Sequence, residues 1–223
     1  PGGSVGLADM DDGAAIPLGD GRFLVVTTDS HVISPTFFPG GDIGRLAISG
    51  TVNDLAMMGA TSVLALTCAV ILEEGFPREE LERIQASMRA TCKEAHAPIV
   101  TGDTKVMGRG EIDKIVICTT GVAITRHVVR DAGLRPGDRI LVTGTIGDHG
   151  LAVMSARHDL GIEGELRSDV APIMPPAPHA PSTAATNGFG ARRISEIVEC
   201  KYSRIWRKIG AKPFGTSRCS GLR

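Results

Sequence analysis

The chain has 223 residues, 42% of them hydrophobic, and a formal net charge of -1. This length suits one domain with a sizeable core or one and a half smaller ones, and the composition is that of a soluble globular protein. The neutral charge balance predicts no nucleic-acid partner and no anionic membrane surface as partner. The longest mainly apolar stretch, Val63 to Leu72, is far shorter than the roughly 20 residues of a membrane helix. With no basic-then-apolar leader at the start, the sequence predicts a cytoplasmic protein.

The first half of the chain alternates strand and helix patterns. A β-branched run from Phe23 to Asp29 predicts a buried strand that ends in a carboxylate. After a Pro-Gly-Gly turn, apolar residues recur at helical spacing, which predicts a helix over about Asp42 to Met58 with Gly59 as its cap.

The segment SVLALTCAVIL then predicts a second buried strand, and PREELERIQASMRATCKEAH an amphipathic helix. Pro77 lies in the first turn of that helix, and one face carries Leu81, Ile84, Met88 and Cys92. The segments PIVTGD and KIVICTTGVAIT predict two more strands. This order indicates an α/β (α+β) fold, a mixed sheet with helices on one face.

A second unit begins after the turn LRPGD. The segment DRILVTG predicts a strand, and a helix follows from about His149 to Leu160, stopped by Gly161. Beyond Ile173 the chain is rich in proline and then basic, with nine Lys or Arg residues against two Glu. We therefore divide the chain into 1–131, 132–173 and an atypical tail, 174–223. The tail is either a linker to a small basic element or a frameshifted end; the unfinished second unit favours the frameshift.

The five cysteines are scattered and show no C-x-x-C spacing, which argues against a zinc or redox motif. We expect Cys68, Cys92 and Cys118 to be reduced core thiols. The sequence does not support a hydrolase or a zinc-enzyme hypothesis either, because neither G-x-S-x-G nor H-E-x-x-H occurs in the chain.

Carboxylates next to glycines or at the ends of predicted elements are the main chemical signal. They are Asp11, Asp12, Asp29, Asp42, Asp54, with Asn53 beside it, and Asp103. Carboxylates gathered at one place repel one another unless cations lie between them, and hard oxygen ligands suit Mg²⁺, which commonly bridges to nucleotide phosphates. His31 lies two residues beyond Asp29; an ordinary loop histidine is the simpler interpretation of it, and a substrate contact is the alternative.

A phosphate-binding element is indicated by Gly102, Thr104 and Lys105. Glycine permits close backbone approach, threonine offers a hydroxyl group, and lysine supplies a positive charge. The spacing is not that of a Walker A loop. The later segment GTIGDHG does not match the dinucleotide-binding pattern either.

Taken in order, the blocks DDGAAI, TTDSHVISPTFFPGGDIGRLAISGTVNDLAMMGA, LEEGFPREELERI, VTGDTKVMGRGEID and GDHGLAVM resemble the HypE family of carbamoyl dehydratases. The similarity runs over about residues 5–173. Acid-rich motifs of this kind are shared by the wider PurM-like superfamily of aminoimidazole ribonucleotide synthetase, which includes thiamine monophosphate kinase and selenophosphate synthetase.

The resemblance implies a PurM-like N-terminal domain that dimerises through its sheet and binds Mg-ATP, followed by the start of an α+β domain. It implies that Mg²⁺ is held by Asp12, Asp29, Asp54 and Asp103. Further cofactor-binding residues implied by it are Asn53, Gly102, Thr104 and Lys105, with Asp11 nearby and Lys105 also at the reacting group as the catalytic residue.

The implied activity is ATP-dependent dehydration of a C-terminal cysteine thiocarboxamide to a thiocyanate, which supplies cyanide for nickel-iron hydrogenase. The implied partners are a HypF-like carbamoyltransferase and a HypC/HypD-like iron-cyanide scaffold. Family members end in a Pro-Arg-x-Cys tail, whereas Cys219 lies in SRCSGLR, so we expect this chain to lack the carbamoyl-accepting thiol. Two alternatives stay open: another ATP-using PurM-like enzyme, and a truncated, non-catalytic binding fragment.

Overall fold

A computed structural model describes residues 4–132, 136–139, 144–158, 160 and 166–173. The strands are β1 (Ala14–Pro17), β2 (Phe23–His31), β3 (Phe37–Phe38), β4 (Gly41–Asp42), β5 (Val63–Glu73), β6 (Ile99–Met107) and β7 (Ile115–Thr125). The helices are α1 (Ile43–Met57), α2 (Arg78–Glu94) and α3 (Asp148–His158). None of the helices in these ranges has the length and apolar character that a bilayer span requires.

Five strands form one mixed sheet in the order β1-β2-β7-β5-β6. Strands β5 and β6 are parallel, as expected for a pair joined by the crossover helix α2, and the other neighbours are antiparallel. Helices α1 and α2 share a core cluster with inward residues of β5 and β7, such as Leu66 and Ile117. The predicted α/β fold with helices on one face is confirmed.

Helix α1 begins where its sequence provides a cap. The Oδ1 atom of Asp42 accepts hydrogen bonds from the backbone N–H groups of Gly44, at 2.7 Å, and Arg45, at 3.0 Å. These contacts satisfy two of the amides that a helix N-terminus leaves without partners. At the other end Gly59 adopts a φ of +77°. The predicted helix is confirmed, and Asp42 belongs to its cap.

The predicted apolar face of α2 is confirmed as well. Pro77 precedes the helix as its cap residue, Ile84 and Met88 are buried, and Leu81 and Cys92 pack against the same cluster. The helix α3 also agrees with the prediction for about residues 149–160. Its predicted stop at residue 161, most of the strand predicted over 138–144 and the tail 174–223 lie outside the described residues. The three-part division of the chain stays a prediction.

Two strand boundaries differ from the prediction. Strand β2 continues past Asp29 to His31, and β6 continues through Lys105 to Met107. Asp29 and Asp103 therefore lie within strands, where the alternation of side chains decides which face each occupies. The short strand β1 and the β3–β4 hairpin were not predicted, because runs of two to four residues carry almost no periodic signal.

The cysteine prediction holds in part. In the described part of the chain Cys68, Cys92 and Cys118 are free thiols. Burial raises the pKa of Cys68, and burial followed by the nearby Cys68 raises the pKa of Cys92 to about 11. Both stay in the thiol form at neutral pH. Cys118 does not lie in the core: it is half-buried on the sheet face that the helices leave open, 3.2 Å from the Ser30 hydroxyl oxygen.

One segment of the second unit, residues 166–173, packs against the first; we call it the strap. The backbone N–H of Ser168 donates to the Pro39 carbonyl in the β3–β4 hairpin at 2.8 Å. The Arg45 side chain on α1 donates from Nε to the Val170 carbonyl at 2.8 Å. The strap therefore follows α1 from its N-terminus towards the residues described next.

Candidate nucleotide and metal site

Three of the predicted carboxylates come together between α1 and β2. Odd-numbered residues of β2, such as Val25 and Thr27, are buried under the helices, so Asp29 faces α1 as well. Asp54 lies one helical turn beyond Gly50 on α1, and Asp12 precedes β1, the neighbour of β2. The site thus draws on one helix, one central strand and one loop.

The Thr27 hydroxyl group links two of the three acids. Its oxygen lies 2.9 Å from the Asp12 carbonyl oxygen and 3.0 Å from Oδ2 of Asp54. A hydroxyl group donates one hydrogen at a time, so the two acceptors share it. Thr27 therefore ties the loop before β1 to α1 through the buried face of β2.

The fold opposes ionisation of Asp54. Burial is the largest cause, and together with the negative charges of Asp12 and Asp29 it raises the pKa of Asp54 to about 7, although the Thr27 hydrogen bond acts in the opposite direction. A divalent cation relieves the repulsion between a half-buried carboxylate and two neighbouring ones, and carboxylate oxygens are the ligands that Mg²⁺ prefers. The donor set therefore fits Mg²⁺ in kind. Among the described residues, however, no three Asp, Glu, His or Cys side chains already form a metal-binding group.

Asp29 pairs with His31, whose Nε2 lies 3.0 Å from Oδ2 of Asp29. Burial of Asp29 works against its charge, but the hydrogen bond and charge of His31, with the Ser30 N–H donating to Oδ1, lower the Asp29 pKa below its usual value. His31 is only 9% exposed, and its Nδ1 has no hydrogen-bond partner in the structure. The simpler interpretation of His31 as a loop residue is wrong, since it is a buried residue of β2.

Gly50 makes room for this pair. A Cβ atom at Gly50 would lie 2.8 Å from Nε2 of His31 and 3.0 Å from Oδ2 of Asp29. Sequence reasoning missed both Gly50 and the burial of His31. Extending the period-two pattern of β2 by two residues would have placed His31 on the buried face; nothing in the sequence alone pointed to Gly50.

Asp11 and Asn53 each precede an acid of the cluster in sequence, but their side chains bind backbone groups elsewhere. Asp11 accepts the Asp131 N–H at 3.0 Å, and its Oδ2 lies 3.5 Å from Nε of Arg130. The Asn53 side chain donates from Nδ2 to the Ala171 carbonyl at 3.1 Å and accepts the Ile173 N–H at 2.8 Å. Both residues bind backbone that follows β7 in sequence.

The predicted phosphate-binding residues lie elsewhere. Asp103 and Lys105 pair in register with Ala69 and Ile71, so they share the sheet face opposite to the buried Leu66 and Cys68. Strands β2 and β6 are separated by β7 and β5, a distance of roughly 14 Å at the usual strand spacing. Within one chain, Asp103, Thr104 and Lys105 are exposed and do not join Asp12, Asp29 and Asp54.

Gly102 has a structural reason of its own. A Cβ atom at this position would lie 2.2 Å from the Cys68 carbonyl oxygen, a distance that no side chain tolerates. The glycine therefore permits the close pairing of β5 and β6, whatever else approaches the strand.

The model of the AIR synthase related protein family, N-terminal domain, matches residues 10–125. This segment contains the whole five-stranded sheet, α1, α2 and the three clustered acids. The chain therefore belongs to the AIR synthase related family, the PurM-like proteins, as its acid-rich motifs predict.

Within that family the sequence is similar to the HypE hydrogenase maturation proteins. The carbamoyl dehydratase HypE of Cupriavidus necator is 50% identical over 169 residues, which are 75% of this chain and 48% of that protein. HypE in a HypE–HypF complex superposes with a TM-score of 0.69 at 50% identity, covering 74% of this chain and 53% of that one. A hydrogenase maturation protein HypE in complex with ATP gives 0.65 at 45% identity, covering 74% and 49%. The chain thus spans about half the length of these relatives.

Proposed function

We propose that this chain binds Mg-ATP at the cluster of Asp12, Asp29 and Asp54 and serves the HypE type of carbamoyl dehydration. The observation that carries the proposal is the cluster itself, in which burial and two neighbouring carboxylates raise the pKa of Asp54 to about 7. The ATP complex of a HypE that is 45% identical supports the nucleotide. Mg²⁺ held by these carboxylates would neutralise part of their charge and of the charge on the ATP phosphates.

The proposed reaction converts a cysteine thiocarboxamide into a thiocyanate. The amide oxygen attacks the γ-phosphorus of ATP, ADP leaves, and a phosphorylated intermediate forms. The carbon–oxygen bond then breaks with phosphate as the leaving group, the nitrogen loses both protons, and the carbon–nitrogen triple bond is completed. Phosphate is a far better leaving group than hydroxide, which is why the dehydration requires ATP. The product supplies cyanide for the iron of nickel-iron hydrogenase.

The separation of Asp103 and Lys105 from the acid cluster supports a homodimer. The sheet face that α1 and α2 leave uncovered carries apolar residues in register, with Ile16 beside Leu24 and Leu24 beside Ile124. Ile16 is 50% exposed, and the edge strand β6 has exposed side chains along nearly its whole length. An open apolar sheet with an unpaired edge is typical of an interaction surface. We propose that a second copy covers this face and that its Asp103, Thr104 and Lys105 reach the cluster past the C-terminal end of β2, near which Asp29 lies.

In this arrangement the two groups of residues have different roles in binding Mg-ATP. Asp12, Asp29 and Asp54 would hold Mg²⁺, and Asp103 of the second copy would be a further ligand. Thr104 and Lys105 approach the phosphates, and the ammonium group of Lys105 offsets negative charge that moves to the reacting oxygens. The cytoplasmic partners we propose are a HypF-like carbamoyltransferase, supported by the HypE–HypF complex, and a HypC/HypD-like scaffold.

Turnover tests the proposal. The purified chain is mixed with Mg-ATP and a synthetic peptide that ends in cysteine thiocarboxamide, and the peptide mass and released phosphate are followed. We expect the peptide to lose the mass of one water, with one phosphate released per peptide. ATP consumption with thiamine monophosphate or an aminoimidazole precursor, and none with the peptide, would contradict the proposal in favour of another PurM-like enzyme. Nucleotide binding without any turnover would support the non-catalytic fragment.

A further inference from the structure

The doublets Asp11–Asp12 and Asn53–Asp54 are built alike. The second residue of each belongs to the acid cluster, and the first binds backbone that follows β7: Asp131 in one case and the strap in the other. Two separate motifs thus connect the cluster directly to segments that follow β7. The connection through Asn53 is the more complete, because its amide group uses both its oxygen and its nitrogen.

The contacts of Asn53 resemble strand pairing. Its Nδ2 donates to the carbonyl of Ala171 and its Oδ1 accepts the N–H of Ile173, two residues further on. The Asn53 amide thus pairs with one edge of an extended backbone, as a neighbouring strand would. Either hydrogen bond alone would leave the strap free to rotate about it. With both made, the end of the strap is fixed beside Asp54, the next residue on α1.

The other end of the strap is fixed by the Pro-Gly-Gly turn. Gly40 has a φ of +92°, and a Cβ atom there would lie 2.5 Å from the Ser168 carbonyl oxygen. A Cβ atom at Gly41 would lie 2.7 Å from a methyl carbon of Val170. The turn therefore needs these glycines for close approach of the strap as well as for its own geometry.

We infer that Asn53 is a positioning residue: it secures the strap against α1 and so holds Asp54 in place, rather than contacting the nucleotide itself. An Asn amide has few further bonds to offer once both ends are engaged. Nucleotide binding at the cluster then depends on strap docking. The docking part stands on the contacts alone, and the coupling part rests on the function proposed above.

Four variants separate this inference from direct nucleotide contact. Asn53→Ala removes both bonds to the strap. Gly40→Ala disturbs the strap at its far end, and Arg45→Lys removes the Nε donor to Val170 while keeping a positive charge for Glu94. Gln85→Ala, an exposed amide on α2, is the control. Circular dichroism verifies that each variant is folded, and Arg45→Lys replaces Gly40→Ala if the glycine variant is not.

Amide hydrogen exchange without nucleotide tests the docking. We expect the peptide covering 166–173 to exchange at least about tenfold faster in Asn53→Ala and in the strap variants than in Gln85→Ala, because lost hydrogen bonds expose its amides. Unchanged exchange in Asn53→Ala would overturn the inference, whether or not the chain binds ATP.

Calorimetric titration with Mg²⁺ and a non-hydrolysable ATP analogue tests the coupling. We expect Asn53→Ala and Gly40→Ala to weaken binding by about five- to tenfold each, and the double variant to be no weaker than the single ones, because both act through one element. Weakening by Asn53→Ala alone, or effects that multiply in the double variant, would show direct contact and overturn the inference. If the unaltered chain does not bind the analogue, the proposed function fails, and the coupling fails with it.

Discussion

Asp54 is a carboxylate whose ionisation the folded state opposes, and this has a measurable consequence for stability. Its folded-state pKa of about 7 lies above the ordinary value of 3.8, so the folded protein binds the proton more tightly than the unfolded chain. Protonation of Asp54 therefore stabilises the folded state. This stabilisation is fully present below about pH 4 and is lost as the pH rises to about 7. Removing the charge therefore matters most above neutral pH.

We predict that Asp54→Asn raises the free energy of unfolding at pH 8, without Mg²⁺, by about 2–4 kcal/mol, since three pKa units correspond to about 4 kcal/mol. At pH 4 the gain should be small. Urea unfolding at both pH values measures the difference. Equal stability of variant and unaltered chain at pH 8 would show that the fold does not oppose this charge.

Gly50 sets two effects against each other. In an exposed helix, Gly→Ala stabilises by about 1 kcal/mol, but a Cβ atom at Gly50 would press on the His31–Asp29 pair. We predict that Gly50→Ala destabilises the chain by about 1–3 kcal/mol, because overpacking a buried contact outweighs the propensity. Ala86→Gly on the exposed side of α2 calibrates the propensity effect in the same urea experiment. A more stable Gly50→Ala variant would mean that the pair moves freely.

At the scale of elements, helix α1 and strand β6 give opposite roles to two acids that look alike in the sequence. Asp42 caps α1 with two hydrogen bonds, whereas Asp103 is exposed on an edge strand. We therefore expect Asp42 to stabilise the fold and Asp103 to bind the ligand.

We predict that Asp42→Ala lowers the free energy of unfolding by about 1 kcal/mol, as loss of a helix cap does, and leaves Mg-ATP affinity unchanged. Asp103→Asn should leave stability within about 0.5 kcal/mol and weaken Mg-ATP binding. Denaturant unfolding and calorimetry on both variants make the comparison. The reverse pattern would exchange the two roles.

The long elements of the sheet domain were predictable because each is long enough to show the hydrophobic periodicity of a helix or a strand. Helix α2 shows its apolar face at Leu81, Ile84 and Met88, and α1 adds an Asp cap and a terminal glycine. The site was predictable only in part. Residue types and glycines identify the acids, but whether Asp29 and Asp103 share a face depends on strand order and register, which pairing across the sheet decides. The role of Asn53 depends on the strap, about 120 residues away in sequence, and no local pattern reports it.

In the whole molecule, the proposed homodimer supplies each complete site from two copies of the chain. Asp54 belongs to the cluster of one copy, and Asp103 would come from the other. We predict that dimers mixed from Asp54→Asn and Asp103→Asn chains regain sites with full Mg-ATP affinity, which each variant alone lacks, because one of the two sites in a mixed dimer carries neither substitution. Calorimetry before and after mixing measures the recovery. Mixed dimers that stay as weak as the separate variants would place both acids in one chain's site.

Calorimetric titration of the chain with ATP is the sharpest test of whether the half-buried acid cluster binds ATP with Mg²⁺. We expect saturable binding in Mg²⁺ that is lost in a chelator, weakened at least about tenfold, or 1.4 kcal/mol, in Asp54→Asn, and unchanged in Asp113→Asn, an exposed acid before β7. ATP binding that is unchanged in the chelator, or that Asp54→Asn and Asp113→Asn weaken equally, would contradict Mg-ATP binding at the cluster.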